Sequence, residues 1–418
     1  MAGSLDMSEA GDRTADEILG ELFGGAASDP FPLYDELREL GEGIHRCDLI
    51  GGHILTRYAD CRQIGSDPKT FSSDMFATTA PGIYDPDDPE HRRYADTASQ
   101  LFMFADPPRH TRIRSTFRHA FTPDAVRGWR AAVEQVTDEV LGRYSPGQDI
   151  DLMSGPAAEI PVAVIATILG VPQDVWAKFR EWSFGYASTF DPMVFGERRD
   201  AAIRTSLELF DYLADLIRMR RAEPADDLIS HMIGTETIDG THLDDAEMLS
   251  QVALLLVAGN ETTTNLIGNG MTLLFGHPEA REALAADPAL VPTAVEELLR
   301  YDTPLHMTGR KVSRDTEING HSLEAGSTVL LCLAGANRDP RAFQDAGVLD
   351  ITRSPNPHLS FFHGIHFCVG APLARLEGQV FFEKVFRAFP DIAPGSEPPV
   401  RRTLNIASRG WASRPVRL

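Results

Sequence analysis

The chain is poor in cysteine: four occur in 418 residues, Cys47, Cys61, Cys332 and Cys368. None stands in a C-x-x-C pair, which argues against a disulfide framework and against the usual paired-cysteine zinc motifs. That usage fits a reducing cytoplasm. Long apolar runs are also missing. The stretch from Ile160 to Leu169 falls well short of the ~20 residues a membrane helix needs, and the first residues lack the basic and apolar pattern of a secretion signal. Positive charge is scarce, with 39 Lys and Arg against 61 Asp and Glu and a formal net charge of −22. Such a balance argues against nucleic acid as a partner and favours solubility. No Pro/Gly/Ser linker or low-complexity segment divides the chain. The reading is therefore a small, polar and flexible segment over residues 1–25, followed by one domain over 26–418.

The most informative segment that is present runs from His358 to Arg375. Gly364 and Gly370 flank Cys368 and let the backbone turn tightly and bring its N–H groups to the sulfur. Pro372 opens an apolar-periodic run (Leu373, Ala374, Leu376, Val380, Phe381, Val385, Phe386), which predicts a helix starting just after the cysteine. A helix N-terminus favours ionised sulfur. One thiolate with no second cysteine nearby suits a single metal held by one strong ligand, haem iron foremost. His363 and His366 leave zinc as an alternative, and a buried structural cysteine is the plain one.

The spacing Phe361-x-x-Gly364-x-His366-x-Cys368-x-Gly370 resembles the haem-binding signature of the cytochrome P-450 superfamily. The tail Gly370-Ala-Pro-Leu-Ala-Arg375 resembles that of its soluble bacterial, actinobacterial-like members. One position departs: Phe362 stands where the family usually has glycine. The resemblance runs from Asp29-Pro-Phe-Pro-Leu-Tyr34 to the C-terminal strands. It implies haem b with Cys368 as axial ligand, O2 as co-substrate, and a mainly α fold with a minor β region. That fold is a helix-rich triangular prism with haem between a long distal helix and the helix of the Cys loop.

A proline-free apolar pattern from about Asp244 to Leu274 predicts that long helix, on the order of 45 Å. Ala258 and Gly259 remove bulk at its middle. Thr262, four residues after Ala258, is placed to bond the earlier carbonyl. The resemblance makes Ala258 and Gly259 part of the cofactor site, and makes Glu261 and Thr262 the acid and alcohol of oxygen activation. A solvated glutamate face is the plain alternative for Glu261. Glu297 and Arg300, three apart on a helix, share a face. By themselves they say little, but the resemblance adds Arg353 as third member of a triad bracing the cysteine loop. It likewise assigns His110, Arg114, Arg310 and His366 to the haem propionates.

By position in the family, the substrate pocket draws on Phe76 and Tyr84, then on Phe195 of a lid-like stretch 183–195. Leu254 and Ala258 join from the long helix, Leu305 and His306 after the Glu297 helix, and Ile406 from a C-terminal turn. The set is mainly apolar and aromatic, which implies a medium-to-large apolar substrate. The function implied is a monooxygenase that tailors a natural product by hydroxylation or epoxidation, with oxidative cyclisation or C–N and C–C coupling as the alternative. A haem-binding sensor without turnover is the alternative of a different class. Ferredoxin and ferredoxin reductase are the implied electron donors, docking near Arg112, Arg118 and Arg375. Helical periodicity is also plain over 125–144, 158–169 and 201–221. Strands are expected at 51–56 and 328–333, and a hairpin at 316–323 turning on Asn319-Gly320.

Overall fold

The computed structural model describes residues 13–24, 29–75, 84–117, 120–190, 194–402 and 407–418. Helices dominate it. The longest, Asp245–Gly276, begins at a capping box: Asp244 accepts from the Glu247 N–H at 2.8 Å, and Glu247 accepts from the Asp244 N–H at 3.2 Å. Two donors that a helix start leaves unpaired are thereby met. Leu254, Leu255, Leu256 and Val257 are all buried, so this helix is apolar around its circumference and runs through the core rather than over it. Helices Pro156–Ile168, Trp176–Ser188, Glu197–Ala222, Val291–Tyr301 and Ala371–Ala388 pack around it.

The helix after the cysteine crosses it closely. A Cβ on Gly378 would come within 3.0 Å of Leu266, and one on Gly270 within 2.6 Å of Phe382. Glycine at these two points is what lets the backbones approach.

The β part is small. A five-stranded sheet runs in the order Ile44–Cys47, Gly52–Leu55, Thr328–Cys332, Met307–Val312 and Phe71–Ser72. Only the Gly52–Leu55 and Thr328–Cys332 pair is parallel. Arg310 lies opposite Val329 in the antiparallel pair beside it, well inside the strand. The expected hairpin forms between Thr316–Ile318 and His321–Leu323, with Asn319 and Gly320 at φ 48° and 79°. Both central residues of a two-residue I′ turn need such values.

The predicted helices appear as Pro123–Leu141, Pro156–Ile168 and Glu197–Ala222. Within the segment read as flexible, residues 13–24 are described and hold a helix. Thr14 and Glu17 form a capping box for helix Ala15–Phe23, and Ile18, Leu19 and Leu22 bury against a cluster that includes Phe31, Leu33 and Leu37. Three apolar residues on one face suffice to dock a helix that the polar composition around them conceals. Residues 1–12 lie outside the described ones. Among the described residues, no helix is long and apolar enough to cross a membrane.

Candidate active site

On the long helix, Ala258 and Thr262 are exposed although Val257, Thr263 and Thr264 beside them are buried. They are four apart and so form one stripe, which Leu254 extends by a turn. Thr262 Oγ1 donates to the Ala258 carbonyl at 2.8 Å, the back-bond expected of a threonine at that offset. A Cβ on Gly259 would meet nothing nearer than Ile165 at 4.0 Å, so no protein atom crowds the backbone there. The two glycine contacts at the helix crossing advance in the same direction along both chains, from Leu266 and Gly378 to Gly270 and Phe382. Thr262 and Cys368 both precede that crossing and therefore lie on the same side of it.

Cys368 is itself exposed, in a loop whose Phe361 and Phe362 are buried. Its N–H donates to the Phe361 carbonyl at 2.9 Å. Gly364, at φ 73°, could not be replaced freely, because a Cβ there would fall 2.0 Å from the Gly65 carbonyl oxygen. Although the residue as a whole is exposed, protein atoms around its sulfur desolvate it and raise the thiol pKa. The Gly370 and Ala371 N–H groups and the Arg114 and Arg375 guanidinium groups pull it down without winning. The N–H groups of the helix N-terminus thus favour the ionised sulfur, as expected, and a bound metal cation would add to them. Among the described residues, no group of three His, Cys, Asp or Glu side chains is arranged to hold a metal ion, and His366 Nε2 is 2.8 Å from Ser73 Oγ. Zinc with His363 and His366 is thus set aside.

Four basic groups gather from three parts of the sequence. The His110 and His366 rings meet at a tilt of 52° with centroids 4.3 Å apart, and both ring nitrogens of His110 are buried without a hydrogen-bond partner. Arg114 donates to the Phe367 carbonyl at 2.5 Å and Arg310 to the Gly309 carbonyl at 2.6 Å. Neither arginine forms an ion pair among the described residues. Burial, followed by the neighbouring cations, pushes His366 down to about 2. Burial likewise takes His110 to about 4, with Arg114 as the next cause, and Arg310 to about 10. The acid that acts on both His110 and Arg310 is Asp106, which is engaged by the Ser72 hydroxyl and by the Ser73 N–H at 2.9 Å. Buried donors short of acceptors call for a ligand carrying carboxylates. The cradle fits the two carboxylates of haem, the group implied by the resemblance of the cysteine loop.

Comparison with known proteins decides the question of family. A sequence profile described as cytochrome P450 matches residues 190–409. The polyketide biosynthesis cytochrome P450 PksS of Bacillus subtilis is 36% identical over 397 residues, covering 93% of this chain and 96% of that protein. The chain belongs to the cytochrome P-450 family. The P-450 monooxygenase PikC of Streptomyces venezuelae is 37% identical over 387 residues, 91% of this chain and 88% of PikC. Among solved structures, P450BioI in complex with hexadec-9Z-enoic acid ligated acyl carrier protein superposes with a TM-score of 0.84 at 30% identity, covering 93% of this chain and 98% of that one. This P-450 therefore uses haem bound through a cysteine thiolate, together with O2, and Cys368 is the cysteine its fold offers.

Behind the cysteine loop the P-450 holds a fully partnered charge cluster. Arg300 donates to both Glu297 oxygens at 2.8 and 2.7 Å and to the Asn337 and Ala346 carbonyls at 2.9 and 2.8 Å. Arg353 reaches the same carboxylate at 3.1 Å. The Asp350 N–H and the Asn356 amide complete it at 2.9 and 3.1 Å. Sequence reasoning missed a second brace. Glu296, next to Glu297, takes a bidentate pair from Arg375 at 2.7 and 2.8 Å and a contact from His358 Nε2 at 3.1 Å. Despite the opposing effect of burial, these partners hold its carboxyl down at about 2. An acid facing away from the Glu297 pair was the only signal available for it.

Glu261 is not a solvated face. Its Oε1 accepts from Arg402 Nη1 and Ser408 Oγ, each at 3.2 Å, so the C-terminal segment holds it. Asn260 ties the helix to Ser183 Oγ at 3.0 Å.

Several expectations need revision. His306 does not serve the pocket: its Nδ1 is 3.0 Å from the Tyr34 hydroxyl and its Nε2 faces Asp302 at 3.5 Å, all three buried. Tyr84 stacks on Tyr94 at 5.3 Å within an aromatic cluster. Leu305 is half-buried beside the Ile44 and Leu55 cluster, and Phe195 is exposed just before helix Glu197–Ala222. Ser183 sits in helix Trp176–Ser188 rather than in a lid loop. Phe76 and Ile406 lie outside the described residues, as does Arg118. The docking arginines are not free cations, since Arg112 pairs with Glu247 and Arg375 with Glu296.

Proposed function

We propose that this P-450 tailors a natural product, hydroxylating or epoxidising a medium-to-large, mainly apolar or aromatic small molecule. The observation that carries the reading is the exposed stripe of Ala258 and Thr262 on an otherwise buried helix, with Leu254 one turn before it and Cys368 exposed on the same side of the helix crossing. That surface is apolar except for one hydroxyl, which selects for shape and apolar area rather than charge. The names of PksS and PikC support a natural-product substrate.

In this reading His110, Arg114, Arg310 and His366 hold the carboxylates of haem, and Cys368 its iron. When bound, haem supplies the reductive activation of O2. The chain supplies proton delivery and order. Thr262 holds a proton at Oγ1 that can turn from the Ala258 carbonyl toward the stripe. Glu261, one residue earlier, takes protons at the end held by Arg402 and Ser408 and passes them inward. In this reading electrons come from ferredoxin reductase through ferredoxin.

The test begins with the absorption spectrum of the reduced, carbon monoxide-treated protein, in wild type and Cys368→Ser. A strongly red-shifted Soret band is expected in wild type alone. Compounds that shift the haem spin state are then turned over under isotopically labelled O2. Label in the product, with Thr262→Ala diverting electrons to peroxide, supports the reading. Ligand binding that survives Thr262→Ala with no turnover in either form would instead identify a haem-binding sensor.

A further inference from the structure

Phe362 holds a backbone conformation that a bulky side chain rarely adopts. Its φ is 60°, in the left-handed region where Cβ crowds the following carbonyl. The glycine that the family signature carries at this point would pay nothing there. Yet the ring is buried, in the cluster that holds Leu55, Ile64 and Phe71. Gly65 makes room for it: a Cβ on Gly65 would stand 3.1 Å from Phe362 Cζ. On the ring lies Arg310, its guanidinium carbon 4.5 Å from the ring centroid. Arg310 is buried, donates to the Gly309 carbonyl and forms no ion pair among the described residues. The negative face of Phe362 thus supports a cation that the protein otherwise leaves short of partners.

We propose that Phe362 is a positioning residue for Arg310. Its ring orients the guanidinium toward a carboxylate of the cofactor, and that service is why a strained backbone is retained at the entrance to the cysteine loop. Gly65, Phe362 and Arg310 then act as one unit of space, aromatic face and cation. The inference rests on the assignment of Arg310 to a haem carboxylate made above.

The experiment uses the haem-loaded protein and four forms: wild type, Phe362→Leu, Arg310→Gln and the double variant. Haem loss to excess apomyoglobin and the midpoint potential are measured for each. Phe362→Leu is expected to speed haem loss about fivefold and to lower the potential, because a less ordered guanidinium stabilises the reduced, more negative haem less. In the Arg310→Gln background the same substitution should change neither quantity by more than about twofold. Equal effects in both backgrounds would overturn the proposal, as would an Arg310→Gln form indistinguishable from wild type. Phe362→Met, closer in volume, replaces Phe362→Leu should the latter fail to fold. The two readings fail differently. A wild-type protein without the thiolate Soret band sinks the site assignment itself, whereas a normal wild type with independent Phe362 and Arg310 effects sinks only the positioning role.

Discussion

Two clusters of charged and basic side chains, all drawn from segments before Cys368, behave in opposite ways. Around Glu297, each charge meets its complement: Arg300 and Arg353 share one carboxylate, and backbone carbonyls take the remaining donors. Around His110 there is no such complement: His110 and His366 meet as imidazoles whose protonation burial disfavours, and Arg310 rests on an aromatic ring. The first arrangement is complete within the protein and serves the fold. The second lacks paired counter-charges among the described residues, and it is the one proposed to hold the cofactor's carboxylates. Glu297 and Arg300 are fully buried and His110 nearly so, so it is partnering rather than burial alone that separates the two.

The largest test of this contrast is Glu297→Gln. It strands two buried guanidinium groups and should cost about 3–5 kcal/mol. Denaturant unfolding should show that loss, and the protein should be purified without haem. Retained haem and stability would break the distinction.

A second test lies in His306, which is buried with the Tyr34 hydroxyl against its Nδ1 and Asp302 3.5 Å from its Nε2. Burial, then Arg409 and Arg401, lowers its pKa to about 4 against the pull of Asp302, from an ordinary value of about 6.5. Between those values the unfolded chain binds more protons than the folded one, so stability falls as the pH drops through this window and levels off below it. Lowering the pH from 7 to 5 should cost about 2 kcal/mol through this one residue. Unfolding midpoints of wild type and His306→Gln at the two pH values measure it, and the variant should show the shallower dependence.

The third test inverts the sign of the first. His110→Phe removes two buried nitrogens without partners and should stabilise the haem-free protein by about 1 kcal/mol. The same change should weaken haem retention about tenfold. Melting curves of both forms resolve the two effects, and a destabilised haem-free form would place His110 with the structural charges.

The smallest effect on stability is expected at Arg402→Gln, since the pair with Glu261 is about one-third exposed on each side. Stability should change by less than about 1 kcal/mol, while the peroxide-to-product ratio and the solvent isotope effect on turnover should both rise. Unchanged coupling would remove Arg402 from proton delivery.

Much of this site was legible in the linear sequence, though unevenly. The Thr262 back-bond to Ala258, the helix after Cys368, the Asn319-Gly320 turn and the Glu297–Arg300 pair depend on spacings of one to four residues, which backbone geometry constrains. The Arg402 and Ser408 hold on Glu261 spans more than 140 residues, and Arg375 meets Glu296 across 79. No local period marks such partners. His306 looked like a pocket residue because it follows the Glu297 helix, but the strand that starts at Met307 turns it toward Tyr34 instead.

The sequence by itself determined the long helix, the helix after Cys368, the Asn319-Gly320 turn, the cysteine ligand and the order of the haem motifs, because each rests on short-range sterics or on fixed spacing. Only the tertiary structure decided which charges are satisfied and which await a ligand. It also decided that a phenylalanine at φ 60° bears on Arg310. The reason is physical. Desolvation and charge pairing depend on what the fold brings within a few ångströms, and that environment is assembled from segments far apart in the chain.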